Sequence, residues 1–433
     1  MNDRIRTTNS AQAVKSPRRA VLAGGIGNVL EQYDNLIYVY SAVLLGKLFF
    51  STTDPVSNLL ATFAVFAVGF LIRPLGALFF GNMGDRLGRR RALVLSVGLM
   101  AACTTAIGLL PTYDSIGVSA TILLVLLRLL QGFSVGGEWA GSTAFIVEYA
   151  PSAKRGLYGS WQQVSTAVGF LLAAVVSAGV TSIFSESDLL AWAWRIPFLL
   201  AAFTGVVALY LRWGIDETPS FEVAAAENEL VSNPLRESVR TQFPNIARGF
   251  GFTLLWTVAY FLFLTFVPTY LTQYKGVDAG AATRSAAFGI ALFAVLIPFA
   301  GALSDRIGRR PLLLTSTVGF VVLSWPVLVW MGTGSAVAIY GGWAVLAMLL
   351  AAFSGPGPAA LAEMFPTAVR YSSLSIGYNV AVAIFGGTAP LLAVWLIKVT
   401  ELTSSPAFIA IVAAVITTAV VASMPETYRR ALR

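Results

Sequence analysis

GNMGDRLGRRR (81–91) and GALSDRIGRRP (301–311) are two copies of one pattern, G-x-x-x-D-R-x-G-R-R, set 220 residues apart. A second pair, EYAPSAKR (148–155) and EMFPTAVR (363–370), shares E-x-x-P-x-x-x-R at an offset of 215. Two motifs repeated at nearly one offset mark a duplicated chain. The stretches between them are apolar runs of about 20 residues, the length that crosses a bilayer as a helix. The 433 residues are 57% hydrophobic and 12% charged, with a mean hydropathy of +0.75. A soluble domain is about 25% charged and cannot hide that much apolar surface. The expected fold is therefore an all-α integral membrane protein, with twelve transmembrane helices in two pseudo-symmetric bundles of six.

The spans are read at 20–45, 57–81, 92–110, 118–148, 156–182, 192–213, 246–271, 284–303, 312–331, 336–361, 372–397 and 404–424. They divide the chain into an N-terminal tail (1–19), a first bundle (20–213), a linker (214–245), a second bundle (246–424) and a C-terminal tail (425–433). Alternate loops carry 22 of the 29 Lys and Arg, against five in the opposite set. That bias places both termini in the cytoplasm. The net charge of +8 is thus a topology signal, and a nucleic-acid role is excluded. The first apolar run has no small-residue cleavage site and reads as a span, not a removed signal peptide. Cys103 is the single cysteine, so no intrachain disulfide forms. No metal-ligand cluster, nucleotide loop or nucleophile–base arrangement is present, so neither enzyme activity nor a cofactor is expected.

The repeated loops have the chemistry of a latch. Gly81 and Gly301 allow close helix packing. Asp85 and Asp305 stand at helix ends, able to pair with arginine or cap another helix. Gly88, Arg86, Arg89, Arg306 and Arg309 complete the turns. Glu148, Arg155, Glu363 and Arg370 bracket the other repeated turns and are expected to form ion pairs with them.

Inside the spans lie five strong charges, Glu31, Asp34, Arg73, Arg128 and Glu138, all in the first half. Charge in a bilayer is costly and marks function by default. At 100° per residue, Glu31, Asp34, Asn35 and Tyr38 share a wedge about 100° wide on the first helix, which must face the bundle interior. On the fourth helix Arg128, Gln131 and Glu138 share a face, but Arg128 and Glu138 are about 15 Å apart along the axis. Arg128 is therefore expected to pair with Glu31 or Asp34. The chain has no histidine, so a transported proton falls to a buried carboxylate tuned by arginine: Asp34, Glu31 or Glu138. Arg73 and Arg128 suit a carboxylate of the solute, through paired hydrogen bonds. Asn35, Tyr38, Gln131, Gln162, Trp256, Tyr260, Tyr378 and Asn379 complete the expected solute site. Pro356 and Pro358 in GPGP should break the tenth span.

The loops, RLLQG (128–132) and the six-plus-six layout resemble the major facilitator superfamily. FLIRPLGALFFG (70–81), RLLQGFSVGGEWAGS (128–142), WAWRIPF (192–198), DETPSF (216–221), EMFPTAVR (363–370) and AIFGGTAP (383–390) resemble its metabolite:proton symporter subfamily, along nearly the whole chain. The resemblance implies a monomeric carrier of the bacterial inner membrane that imports a small solute with a proton by alternating access. Members take 2-oxoglutarate, citrate, shikimate, proline or betaine. Two positions depart from the family's E-W-Y-D-F-x-x-Y pattern: Gln32 and Asn35 replace aromatics. The amide at 35 points to a polar, hydroxylated solute, so a small organic acid is the expected substrate and a zwitterion such as proline or betaine the alternative. Proton-antiport efflux is a weaker reading. Zwitterion carriers often bear a long charged C-terminal extension, and ETYRRALR ends this sequence, which sets the expectation against osmosensing.

Overall fold

The computed structural model describes residues 17–50, 55–214, 216–227, 231–430 and 432; most of the expected N-terminal tail therefore lies outside the described residues. Eleven helical segments are long and apolar enough to cross a membrane. They are α2 (Ala61–Leu87), α3 (Arg89–Leu109), α4 (Val118–Tyr149), α5 (Ser152–Ile183), α6 (Arg195–Trp213), α7 (Pro234–Lys275), α8 (Gly280–Ile307), α9 (Arg309–Met331), α10 (Ala336–Ala362), α11 (Thr367–Thr400) and α12 (Pro406–Ser423). The twelfth is α1 (Pro17–Tyr40). It is less apolar because Asn28, Glu31, Gln32, Asp34 and Asn35 interrupt it.

The duplication is visible in the packing. In the first half α1 lies on α5, α2 on α4 and α3 on α6; in the second, α7 lies on α11, α8 on α10 and α9 on α12. The halves meet through α5 against α8 and α2 against α11. This is the twelve-helix arrangement expected from the repeats.

Several boundaries differ from expectation, among them the end of the second span, at Leu87 rather than 81. The first span ends at Tyr40 rather than 45; Ser41 departs from helical geometry and a short helix, Ala42–Phe49, follows. The seventh begins at Pro234, inside the expected linker. Asn233 caps it, its side chain accepting from Arg236 N at 3.1 Å, and proline tolerates the first turn because its N–H would be unpaired there anyway. What the charge pattern marks as linker is thus partly the cytoplasmic end of a helix. As expected, α10 breaks at Gly355–Pro356. Within α7 a π-helical segment covers Tyr260–Phe266.

Candidate functional site

At the end that carries the D-R-x-G turns, each half caps a helix of the other. Asp85, at the end of α2, accepts from the backbone N–H groups of Tyr371 (3.2 Å) and Ser372 (2.8 Å), the first turn of α11's regular helix. Asp305, at the end of α8, accepts from Gly156 and Leu157 N–H, both at 2.8 Å, in the corresponding turn of α5. A carboxylate there satisfies orphan donors and opposes the positive end of the helix dipole. Gly81 permits the approach: a Cβ would stand 2.9 Å from Ser372 Cα. Gly88 and Gly308 turn at φ 103° and 102°, a region that only glycine enters freely.

Behind each aspartate stands an arginine–glutamate chain that also crosses between halves. Glu148 pairs with Arg89 (3.4 Å) and with Arg370 of the other half (2.7 Å). Glu363 pairs with Arg309 (3.3 Å) and with Arg155 of the other half (3.8 Å). The two glutamates therefore pair with the turns as expected, whereas Arg370 and Arg155 pair with the glutamate of the opposite half and not with a D-R-x-G turn. Arg86 and Arg306, expected in the same set, are instead exposed, because they follow the buried aspartates on the outer side of each turn.

The structure adds a third repeated element that the sequence reading missed. Glu217 accepts from Arg90 N (3.1 Å) and Glu426 from Arg310 N (3.0 Å), each capping the helix after a D-R-x-G turn. The next residues, Thr218 and Thr427, donate to Glu148 (2.5 Å) and Glu363 (2.6 Å). Both stretches read E-T, 209 residues apart, a signal present in the sequence. Backbone N–H bonds from Arg310, Tyr428, Arg309 and Thr427 outweigh the opposing effect of burial and hold the Glu426 carboxyl below its ordinary pKa.

A capping carboxylate is worth about 0.5–2 kcal/mol. Replacing Asp85 or Asp305 with alanine should therefore raise the population open to the cytoplasm by about 2- to 30-fold. The readout is maleimide labelling of a cysteine at Ser375, buried beside Gly81, in a Cys103→Ser background. Unchanged labelling in both variants would refute the latch.

Above the latch, the wedge on α1 faces the interior as expected. Glu31 pairs with Arg73 of α2 at 3.3 Å, and Arg73 also donates to Asn35 Oδ1 at 3.2 Å while its guanidinium lies 4.0 Å from the Phe70 ring centre. Asp34 takes a different set: Thr104 donates to its Oδ2 at 2.5 Å and Gln131 Nε2 at 3.2 Å. Each carboxylate keeps one buried oxygen, Glu31 Oε2 and Asp34 Oδ1, without a hydrogen-bond partner.

Arg128 corrects the expected pairing. Its Nη1 donates to Gln131 Oε1, and its guanidinium lies 4.2 Å from the Tyr38 ring centre and 5.3 Å from that of Phe66. Among the described residues no carboxylate lies within ion-pair distance of it. Glu31 is committed to Arg73, and Gln131 stands between Arg128 and Asp34. Arg128 is 3% exposed and its Nε is unpartnered.

Glu138, expected among the proton carriers, is bonded to Arg212 of α6 through both carboxylate oxygens and accepts from Ser96 (2.9 Å). Arg212 also donates to the carbonyls of Ala23 (2.9 Å) and Leu93 (2.5 Å). This cluster ties α1, α3, α4 and α6 together away from Arg128. Arg212, near the end of the sixth span, is absent from the sequence-based set, and no spacing in the sequence joins it to Glu138.

The second half contributes rings. Trp256 stands edge-on to Trp139 of α4, centroids 5.5 Å apart, and Trp139 stacks flat on Tyr378 at 3.8 Å. Tyr260 donates to Gln163 Oε1 at 2.7 Å. Of the two adjacent glutamines it is therefore Gln163 that reaches this ring, while Gln162 accepts from Gln163. Asn379 spends its amide on backbone, donating to Gly136 O at 2.8 Å and Ser375 O at 3.0 Å. The ring wall is thus built across the two halves, Trp139 from the first and Trp256 and Tyr378 from the second. Trp139, absent from the sequence-based set, lies at the centre of the wall.

The family description "Sugar (and other) transporter" matches residues 21–245 and 233–433. The proline/betaine transporter of Escherichia coli K12 is 38% identical over 427 residues, covering 96% of this chain and 85% of that protein. The glycine betaine/proline/ectoine/pipecolic acid transporter OusA of Dickeya dadantii is 36% identical over 431 residues, with the same coverage. Among solved structures, the major facilitator superfamily proton:xylose symporter XylE bound to 6-bromo-6-deoxy-D-glucose superposes with a TM-score of 0.79 at 16% identity, covering 96% of this chain and 97% of that one. The inward-open conformation of XylE from E. coli gives 0.64 at 18% identity, over 95% and 97%.

Proposed function

This chain belongs to the sugar (and other) transporter family of the major facilitator superfamily, and from that premise we propose that it imports a zwitterionic solute of the proline and betaine kind. A proton travels with the solute, and the two halves expose the site to each side of a bacterial inner membrane in turn. The organic acid expected from Asn35 gives way to the alternative. Asn35 does not open a polar subsite of its own, because its Oδ1 is engaged by Arg73.

The observation that carries this reading is the likeness to proline/betaine transporters, 36–38% identical over 96% of this chain. Arg128 is a buried cation with spare donors, suited to one carboxylate. Between the halves, about 16 Å along α4 from Arg128, stand Trp139, Trp256 and Tyr378, and aromatic faces attract quaternary and secondary ammonium groups. Glu31 and Asp34 add negative charge on the same side of α1.

The test is a thermal-shift screen of the purified chain against glycine betaine, proline, 2-oxoglutarate, citrate and shikimate at pH 5.5 and 7.5. Betaine or proline should stabilise the protein, and the dicarboxylic and hydroxylated acids should not. Stabilisation by an acid alone would overturn the zwitterion reading.

A further inference from the structure

A cleft of about 870 Å³ opens at the cytoplasmic end of α3, well below the central charges. One side is basic: Arg86, Arg90 and Arg91. The other is apolar: Leu95, Gly98 and Leu99 descend α3 toward the membrane interior. Trp213, at the end of α6, closes one edge and is 63% exposed, where aromatic side chains gather at a membrane interface. Leu95 is 49% exposed on the same surface. Glu217 also lines the cleft, but its oxygens accept from Arg90 and Thr218 N–H, so it is held against backbone.

The duplicated half serves as an internal control. Arg90 donates to Trp213 O at 2.6 Å, and Arg310 donates to Ala422 O at 2.6 Å. The backbone frame is the same in both halves. The second half has Pro311 where the first has Arg91, and Ala422 where the first has Trp213. Only the first half therefore combines three arginines with an interfacial tryptophan above an apolar trough. Neither the latch nor the helix cap uses the Arg91 side chain, Trp213 ring or Gly98 gap.

We infer that this cleft holds one anionic phospholipid of the cytoplasmic leaflet, its phosphate among Arg86, Arg90 and Arg91 and an acyl chain along Leu95, Gly98 and Leu99. Guanidinium groups bind phosphate through paired, charge-assisted hydrogen bonds, and the cytoplasmic leaflet supplies the anionic headgroups. The trough is apolar where the acyl chain lies, which favours a lipid over a free phosphate. Because the headgroup bridges the α2–α3 turn and the end of α6, the lipid braces the side of the protein that carries the latch.

The experiment follows thermal unfolding of the full chain in detergent with added dioleoylphosphatidylglycerol, dioleoylphosphatidylcholine or water-soluble glycerol phosphate. The phosphatidylglycerol sample should unfold about 3 °C above the phosphatidylcholine one. An Arg86→Gln/Arg91→Gln double variant should lose at least half of that difference, and Arg306→Gln none of it. Gly98→Leu fills the trough; a Cβ there meets only Leu209 Cδ2, at 3.6 Å, an ordinary contact. It should lose the difference too, which a bare phosphate site would not. Three results overturn the inference: a difference unaffected by both cleft variants, an equal loss in Arg306→Gln, or a full shift with glycerol phosphate.

Discussion

Asp34→Asn leaves the protein able to exchange internal for external solute but unable to concentrate it. A membrane potential is worth about 2.3 kcal/mol per charge per 100 mV, so a proton driven by about 150 mV can sustain roughly a 300-fold gradient. The variant should fall to about one-fold. Asparagine keeps the shape and can still accept from Thr104 and Gln131, the partners of Asp34 Oδ2. Folding is therefore preserved while the ionisable group is lost. Glu31 is the less clean target, since neutralising it leaves Arg73 buried without its carboxylate partner, a loss of about 3–5 kcal/mol. The measurement compares accumulation and counterflow in proteoliposomes under an imposed gradient. Full accumulation by Asp34→Asn would remove Asp34 from the proton path.

Arg128→Lys should raise the half-saturating solute concentration about 10- to 150-fold, the value of one hydrogen bond to a charged group, about 1.5–3 kcal/mol. Lysine keeps the charge but loses the planar pair of donors. Because Arg128 has no carboxylate partner among the described residues, the substitution should leave the amount of folded protein nearly unchanged. Arg212→Lys makes the contrast: it breaks the doubly bonded contact with Glu138 and should lower folded protein first. Equal losses of binding and yield in Arg128→Lys would reassign that residue to structure.

The architecture was legible because each of its signals is local. Charge bias, apolar run length and motifs of about ten residues all survive without knowledge of neighbours. Asp85, Asp305, Glu148 and Glu363 were legible for the same reason, since duplication writes each of them twice, although the equally duplicated Glu217 and Glu426 were missed. The partners of the buried charges were not. Helical phase shows that Glu31 and Asp34 share a face, but not that Arg73 takes one and Gln131 the other; that depends on where α2, α3 and α4 pack. Trp139 lay in plain view in GGEWAGS, yet its importance comes from Trp256 and Tyr378, on helices of the other half. Arg212 was hidden by its position at a helix end, where a basic residue is ordinary. The expectation of an organic acid rested on Asn35, and the sequence does not show that its Oδ1 is taken by Arg73.

The exchange of helix caps between halves also bears on how the chain is made. Asp85 is synthesised 286 residues before Tyr371, whose backbone it caps. At about 5–20 residues per second, that interval is roughly 15–60 s. Throughout it the first bundle sits in the membrane with its aspartate lacking those N–H partners and Glu148 lacking one of its two arginines. The first half can fold its own helices, but its cytoplasmic surface is completed only by nearly the last helix to emerge. Biosynthesis thus passes through an open-ended form of the molecule, and the contacts between the halves are the ones that finish assembly.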